Sequence, residues 1–168
     1  MLALLGSVRH QYEIARAYYT GRYFAQNPIK AVAWCRRAAE NGYPPAENLL
    51  GTFYVASFGV SESPDQAFIW FKRAAEHGDP AGQHSLAWCY RQGVGVAPNE
   101  ELAFTWWLQA AKQGLANAQW AVADCLYRGS GVPKDIEAAL AWCELATSKG
   151  ADKSAQDLLS RIKSDLSR

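Results

Sequence analysis

Trp34, Trp70, Trp106 and Trp142 follow one another at a fixed interval of 36 residues. The same interval carries Gly6, Gly42, Gly78, Gly114 and Gly150, then Ala31, Ala67, Ala103 and Ala139, then Ala38, Ala74, Ala110 and Ala146, with no gap in any column. Independent columns at one spacing define a repeat, and a repeat of this length is one supersecondary unit that cannot bury its apolar face alone. The units run 7–42, 43–78, 79–114 and 115–150. The remainder, 151–168, continues the first half of a unit, with Leu158 in the column of Ile14, Leu50, Leu86 and Val122, and reads as a capping helix. One repeat domain, 1–168, is expected.

Within a unit, apolar residues recur at three and four positions, not at two, which is the helical period. In the first unit Ala31, Trp34, Cys35, Ala38 and Ala39 make one amphipathic stripe. Its start carries, in all four units, a residue whose side chain accepts hydrogen bonds from free backbone amides: Asn27, Ser63, Asn99 and Asp135. Pro28 and Pro64 follow at the first helical position, where a missing N–H costs nothing, and the glycine column closes the same helix. The second helix is therefore placed at 28–40 and its equivalents, the first at 8–20 and its equivalents. Gly93-Val94-Gly95-Val96 and Gly129-Ser130-Gly131-Val132 supply the turns between them. Short turns make neighbouring helices antiparallel. The expected fold is all-α, an α/α right-handed superhelical solenoid of four helix–turn–helix repeats plus a C-terminal capping helix.

The 168 residues are 49% hydrophobic, 12% aromatic and only 20% charged, enough apolar material for a buried core and too much for disorder. Seventeen Lys and Arg against sixteen Asp and Glu leave a formal charge of +1, so no global field draws the chain to phosphate. Nucleic acid is not an expected partner. The apolar opening from Met1 to Leu5 has no basic flank and is far shorter than a membrane span, so no membrane insertion is expected.

Ala118, Val122, Ala123, Gly129, Gly131, Val132, Asp135, Ala139, Trp142, Ala146 and Gly150 resemble the Sel1-like repeat, a relative of the tetratricopeptide repeat. Leu86, Ala87, Tyr90, Gly93, Gly95, Val96, Ala103, Trp106, Ala110, Ala111 and Gly114 match it comparably, and the resemblance covers 7–150. Two positions depart from it: Tyr23 stands where later units carry glycine, and Ser57 occupies another glycine position. The resemblance implies a solenoid used as an adaptor in signalling, secretion and quality-control assemblies, with first helices lining a concave face. It names no partner.

Columns that vary while keeping large side chains are candidates for contact with that partner. On the first helix one such stripe faces away from the second helix. It reads Tyr12, Arg16, Tyr19, then Asn48, Thr52, Val55, then His84, Trp88, Arg91, then Trp120, Asp124, Tyr127. Tyr, Trp and Arg dominate binding hot spots, because they combine large contact area with few rotors and a polar tip. A groove centred on Trp88 and Trp120 is expected, with Arg16, His84, Arg91 and Asp124 adding polar selectivity and Asn48 within it. An aromatic on a first helix also packs against the next unit, and that is the competing explanation for any single member. The four repeated tryptophans, by their regularity, are assigned to the core.

Cys35, Cys89, Cys125 and Cys143 have no C-x-x-C spacing and fall in two repeat columns, which marks them as buried thiols and not as zinc or redox ligands. Free thiols suit a reducing compartment, so a cytoplasmic location is expected, with a Cys125–Cys143 bridge the one conceivable pairing. His10, His77 and His84 share no column and lack companions at ligand spacing, so neither metal nor cofactor is expected. Ser160-Arg161-Ile162-Lys163 matches a bare S-x-x-K pattern without its companion motifs, and Gly93-Val94-Gly95 lacks the third glycine and preceding strand of a dinucleotide site. The expected function is a non-enzymatic scaffold or adaptor, monomeric or self-associating end to end, that binds a peptide or helix of a partner protein. A cell-wall-associated hydrolase or a glycan-binding module is the alternative, since aromatic grooves also stack on sugars.

Overall fold

The computed structural model describes residues 6–150 and 153–167, so Met1 to Leu5 and the outermost positions of the expected 151–168 helix lie outside the described residues. Among the described residues there are nine helices and no strand. They are α1 (Val8–Thr20), α2 (Pro28–Glu40), α3 (Pro44–Val55), α4 (Pro64–Glu76), α5 (Pro80–Gln92), α6 (Glu100–Lys112), α7 (Ala116–Arg128), α8 (Ile136–Ser148) and α9 (Lys153–Leu166). The chain divides into two compact units, Met1–Ser85 with Val94–Val96, and Leu86–Gly93 with Ala97–Arg168. In the first, α1 packs on α2, α2 on α3 and α3 on α4; in the second, α6 packs on α7, α7 on α8, and α9 on both α8 and α7.

Each second helix starts as its sequence dictates. The side chains of Asn27, Ser63, Asn99 and Asp135 accept from the backbone N–H of Lys30 (2.9 Å), Gln66 (3.3 Å), Leu102 (2.9 Å) and Ala138 (2.9 Å). One of the four orphan amides at every such terminus is thereby satisfied. The helix ends are equally regular. Gly42 at φ 74° donates to Ala39 O at 2.9 Å while Tyr43 N reaches back to Ala38 O at 3.1 Å, the paired bonds of a Schellman closure. Gly78 with Asp79, and Gly114 with Leu115, repeat it on Ala75 and Ala74 and on Ala111 and Ala110.

The turn inside each unit is fixed by two further columns. Gly21, Gly93 and Gly129 adopt φ near +70°, and Ser57, in the same column, is forced to φ 52° without a glycine's freedom. Two residues on, a Cβ on Gly59 would lie 2.5 Å from the Pro28 carbonyl oxygen, and a Cβ on Gly95 or Gly131 would strike the Pro64 or Glu100 carbonyl. Each of these turns lies flat on the N-terminus of the previous second helix, and only a glycine fits there. Tyr23 breaks the column because among the described residues no earlier helix lies beneath it; its side chain is 72% exposed.

The core is made of small residues. Ala31, Ala67, Ala103 and Ala139, and Ala38, Ala74, Ala110 and Ala146, are all 0% exposed. Leu50, Leu86, Val122 and Ile162 fill the spaces they leave, and Gly51 lets the Phe71 ring lie against the α3 backbone. The tryptophan column sits at the margin of this core: Trp70 is buried, whereas Trp34, Trp106 and Trp142 are partly exposed. Ser57→Gly is expected to raise stability by about 0.5–1 kcal/mol, the relief of a left-handed side chain less the entropy that glycine adds to the unfolded chain. Gly59→Ala, in contrast, should cost about 2 kcal/mol or more, because backbone strain and a carbonyl collision act together. Urea midpoints of the two variants give the comparison.

Candidate interaction surface

The stripe read from the first helices divides by chemistry between the two units. In the first unit its aromatic rings join helices. Tyr12 packs edge-on against Tyr43 with centroids 5.3 Å apart, and Tyr19 meets Phe53 and Phe58 at 5.2 and 5.0 Å. Asn48 Oδ1 accepts from Ser85 Oγ at 2.9 Å, and Thr52 Oγ donates to the Asn48 carbonyl. Arg16 stays exposed, 5.7 Å from the Tyr12 ring centroid and paired with Glu13 at 3.5 Å. It also edges a cavity of about 180 Å³ lined by Glu13, Ala17, Thr20, Arg22 and Tyr23. Val55 is exposed; His84 is half-buried, and burial lowers its pKa, which keeps the ring neutral at pH 7.

In the second unit the stripe is organised around a carboxylate. Asp124 on α7 is 3% exposed, and a lone charge there would be costly. It is held by two guanidiniums: Arg128 Nε donates to Oδ1 at 2.6 Å and Arg91 Nη2 lies 3.4 Å from Oδ2. Arg91 is further oriented by the Trp107 ring, 5.4 Å from its Cζ. Three residues past Asp124, Tyr127 donates its hydroxyl to Asp165 Oδ2 at 2.6 Å, a bond that raises the pKa of the phenol. Lys134 Nζ and Arg161 Cζ stand 5.3 and 5.5 Å from the same ring. Trp88 is partly buried. Trp120 packs both on the main core of this unit and on Ala146 and Ala155, and its indole nitrogen is buried without a hydrogen-bond partner among the described residues. It is a structural joint as well as a stripe member.

Sequence reading missed Arg128, Lys134, Arg161 and Asp165. Arg128 was within reach, since it stands four residues after Asp124 on one helix; the others come from a loop and from α9. It also missed a buried polar column at the repeat period, Gln11, Glu47, Gln83 and Gln119. Gln83 and Gln119 donate to the Ala75 and Ala111 carbonyls at 3.5 and 3.2 Å, tying a first helix to the end of the preceding second helix. Glu47, fully buried, has no N–H to give. It turns instead to α4, with Arg73 Nε at 3.3 Å and His77 Nδ1 at 2.8 Å.

All four cysteines are buried free thiols. Burial pushes Cys35, Cys89 and Cys125 up to about 12 and Cys143 to about 11. Cys35 and Cys143, in one repeat column, donate to the Ala46 and Ala155 carbonyls, each at 3.2 Å. No group of His, Cys, Asp and Glu among the described residues is placed to hold a metal ion, and none of the described helices is long and apolar enough to cross a membrane.

Helix pairs with capped second helices, glycine-closed ends and varied side chains on the first helices define an all-α repeat protein of the solenoid class. The chain belongs to the Sel1 repeat family, whose repeat matches residues 11–43, 44–79, 80–115 and 116–150. A Sel1 repeat protein from Oxalobacter formigenes is 32% identical with a TM-score of 0.86 over 95% of this chain and 63% of that one. A protective antigen of uropathogenic Escherichia coli strains, displaying the same repeat fold, is 36% identical with a TM-score of 0.84 over 90% of this chain and 32% of that one. Helicobacter pylori cysteine rich protein B shares the fold at 22% identity, TM-score 0.54, over 67% of this chain and 96% of that one. The chain thus spans under two thirds of the length of the first relative and about a third of the second. No curated protein matches its sequence. Sel1 repeat proteins are in general protein-interaction modules.

Two measurements check this account. At pH 8 a disulfide reagent should leave the native thiols almost unreacted and titrate all four once the chain is unfolded, because thiolate is the attacking species. Fast labelling of the native protein would contradict the burial. Glu47→Gln, which lets residue 47 donate to a carbonyl as Gln83 and Gln119 do, should keep stability within about 1 kcal/mol of the parent, whereas Glu47→Leu, which forfeits every such bond, should lose more.

Proposed function

We propose that the chain is a non-enzymatic scaffold that holds an extended peptide or a helix of another protein on the first-helix face of its second unit. The general role of the family supports a protein partner. The observation that carries the choice of face is the arrangement around α7, where buried Asp124 fixes Arg91 of α5 and Arg128, Arg91 stands over the Trp107 ring, and Lys134 and Arg161 stand over Tyr127. Groups of the types that anchor interfaces stand there already ordered, so a partner loses less entropy in meeting them. Peptide recognition by laying apolar anchors along such a face reuses ordinary secondary-structure contacts. The S-x-x-K pattern favours the scaffold over a hydrolase: Ser160 Oγ donates to the Gln156 carbonyl at 3.0 Å, and Lys163 Nζ pairs with Glu144 at 3.0 Å.

The test is a parallel capture from source cells with three forms of the chain: the parent, Trp88→Ala with Tyr127→Ala, and Leu145→Ala as a control on an exposed position of α8. The parent and the control should retain the same protein, and the double variant should lose at least about tenfold of it, the equivalent of 1.4 kcal/mol. Loss in the α8 variant with retention in the first-helix variant would move the interface to the other face.

A further inference from the structure

We infer that the first-helix face of the second unit recognises acidic segments of its protein partner, a carboxylate seating on the Arg91–Arg128 edge with an apolar neighbour against the adjacent rings. The inference rests on the interface proposed above and narrows the partner's chemistry. It starts from a charge imbalance. Arg91 and Arg128 share a single carboxylate, Asp124, so one positive charge beyond neutrality stays at that spot. Lys134 and Arg161 add two more at the Tyr127 ring, against Asp165, which the Tyr127 hydroxyl engages. With Glu100, whose carboxylate lies close enough to act on Cys125 as Arg91 and Arg128 do, four cations meet three carboxylates here, a surplus of one. Glu100 accepts from Ser130 Oγ at 2.8 Å and keeps its negative charge, which leaves the surplus to be read at the exposed guanidinium donors.

Access and order point the same way. The Arg128 side chain is 56% exposed and that of Arg91 25%, while the carboxylate that positions them is 5% exposed, so the donors face outward and the acceptor inward. Guanidinium presents several N–H donors in a fixed fork, and Asp124 takes only some of them. The remainder suit a second carboxylate, and charge-assisted bonds to it are about twice as strong as neutral ones. In the first unit the corresponding stripe residues are engaged otherwise: Arg16 is answered by Glu13 on its own helix, and Tyr12 and Tyr19 are turned into ring contacts.

The experiment uses the full chain and three fluorescein-labelled dodecapeptides, alternating leucine with glutamate, with glutamine or with lysine, titrated by anisotropy. The glutamate peptide should bind at least about tenfold more tightly than its glutamine counterpart at low salt, and the advantage should fade near 0.5 M salt, where exposed charges are screened within about 4 Å. Arg161→Gln should remove several-fold of that preference while the helical spectrum and melting temperature hold; Arg128→Gln, which leaves buried Asp124 to Arg91 alone, should remove it as well, with the helical spectrum kept and the melting temperature lowered. Equal affinity for the glutamate and glutamine peptides, or preference for lysine, overturns the inference and leaves the interface standing. A drop in melting temperature with unchanged preference in both variants overturns it too, by assigning the arginines to structure alone. If the parent binds none of the peptides the inference also falls, and the interface is then judged by the capture experiment alone.

Discussion

Everything in this chain depends on how closely one helix can approach the next. The alanine columns are wholly buried, and a helix face without side-chain bulk brings backbones near enough for a buried Cys35 or Cys143 thiol to reach the carbonyl of the following helix. Close approach then dictates the turns. A second helix must end in a left-handed residue if its successor is to fold straight back, and Gly42, Gly78 and Gly114 supply that residue at φ between 74° and 91°. The internal turn must lie flat on a neighbouring helix end, which Gly59, Gly95 and Gly131 permit and no larger residue would. Repetition of the sequence follows from repetition of these few distances.

This is why most of the fold was legible in the sequence. Cap, glycine and alanine columns report purely local requirements, so α1 and α2 occupy the ranges read from spacing, and all four caps make their expected bonds. Departures from the columns were legible as departures, though their reasons needed neighbours. Ser57 accepts an unfavourable φ because the turn around it leaves no other conformation. Tyr23 tolerates the loss of glycine because nothing among the described residues lies under it. The tryptophan column misled in degree: regular spacing shows that a position has one environment in every unit, not that the environment is fully enclosed. Three of the four rings sit at the edge of the core and are only partly buried.

The buried polar column shows the opposite failure. Gln83 and Gln119 share the repeat period, but a polar residue on a first helix reads as a solvent position until burial is known. Within that column Glu47 is the same shape with an acceptor where its counterparts have a donor. One atom type changes the partner from a carbonyl on the preceding helix to an arginine and a histidine on the following one. Framework and surface are therefore not separate sets of positions; a single substitution in a framework column redirects a charge.

The candidate surface was legible only in part for a related reason. Periodicity identifies which residues share a helix face, and so it finds Arg91, Trp120, Asp124 and Tyr127 together. It does not report what comes to that face from elsewhere. Lys134 arrives from a turn, and Arg161 and Asp165 from the helix after the last full repeat, whose columns are incomplete. Nor does it report which charge is inside: Asp124, read as an exposed selectivity residue, is buried and serves as the support for two outward arginines. Buried beneath the two guanidiniums, Asp124 neutralises one of their charges and holds both in place, and its position leaves their unused donors to solvent.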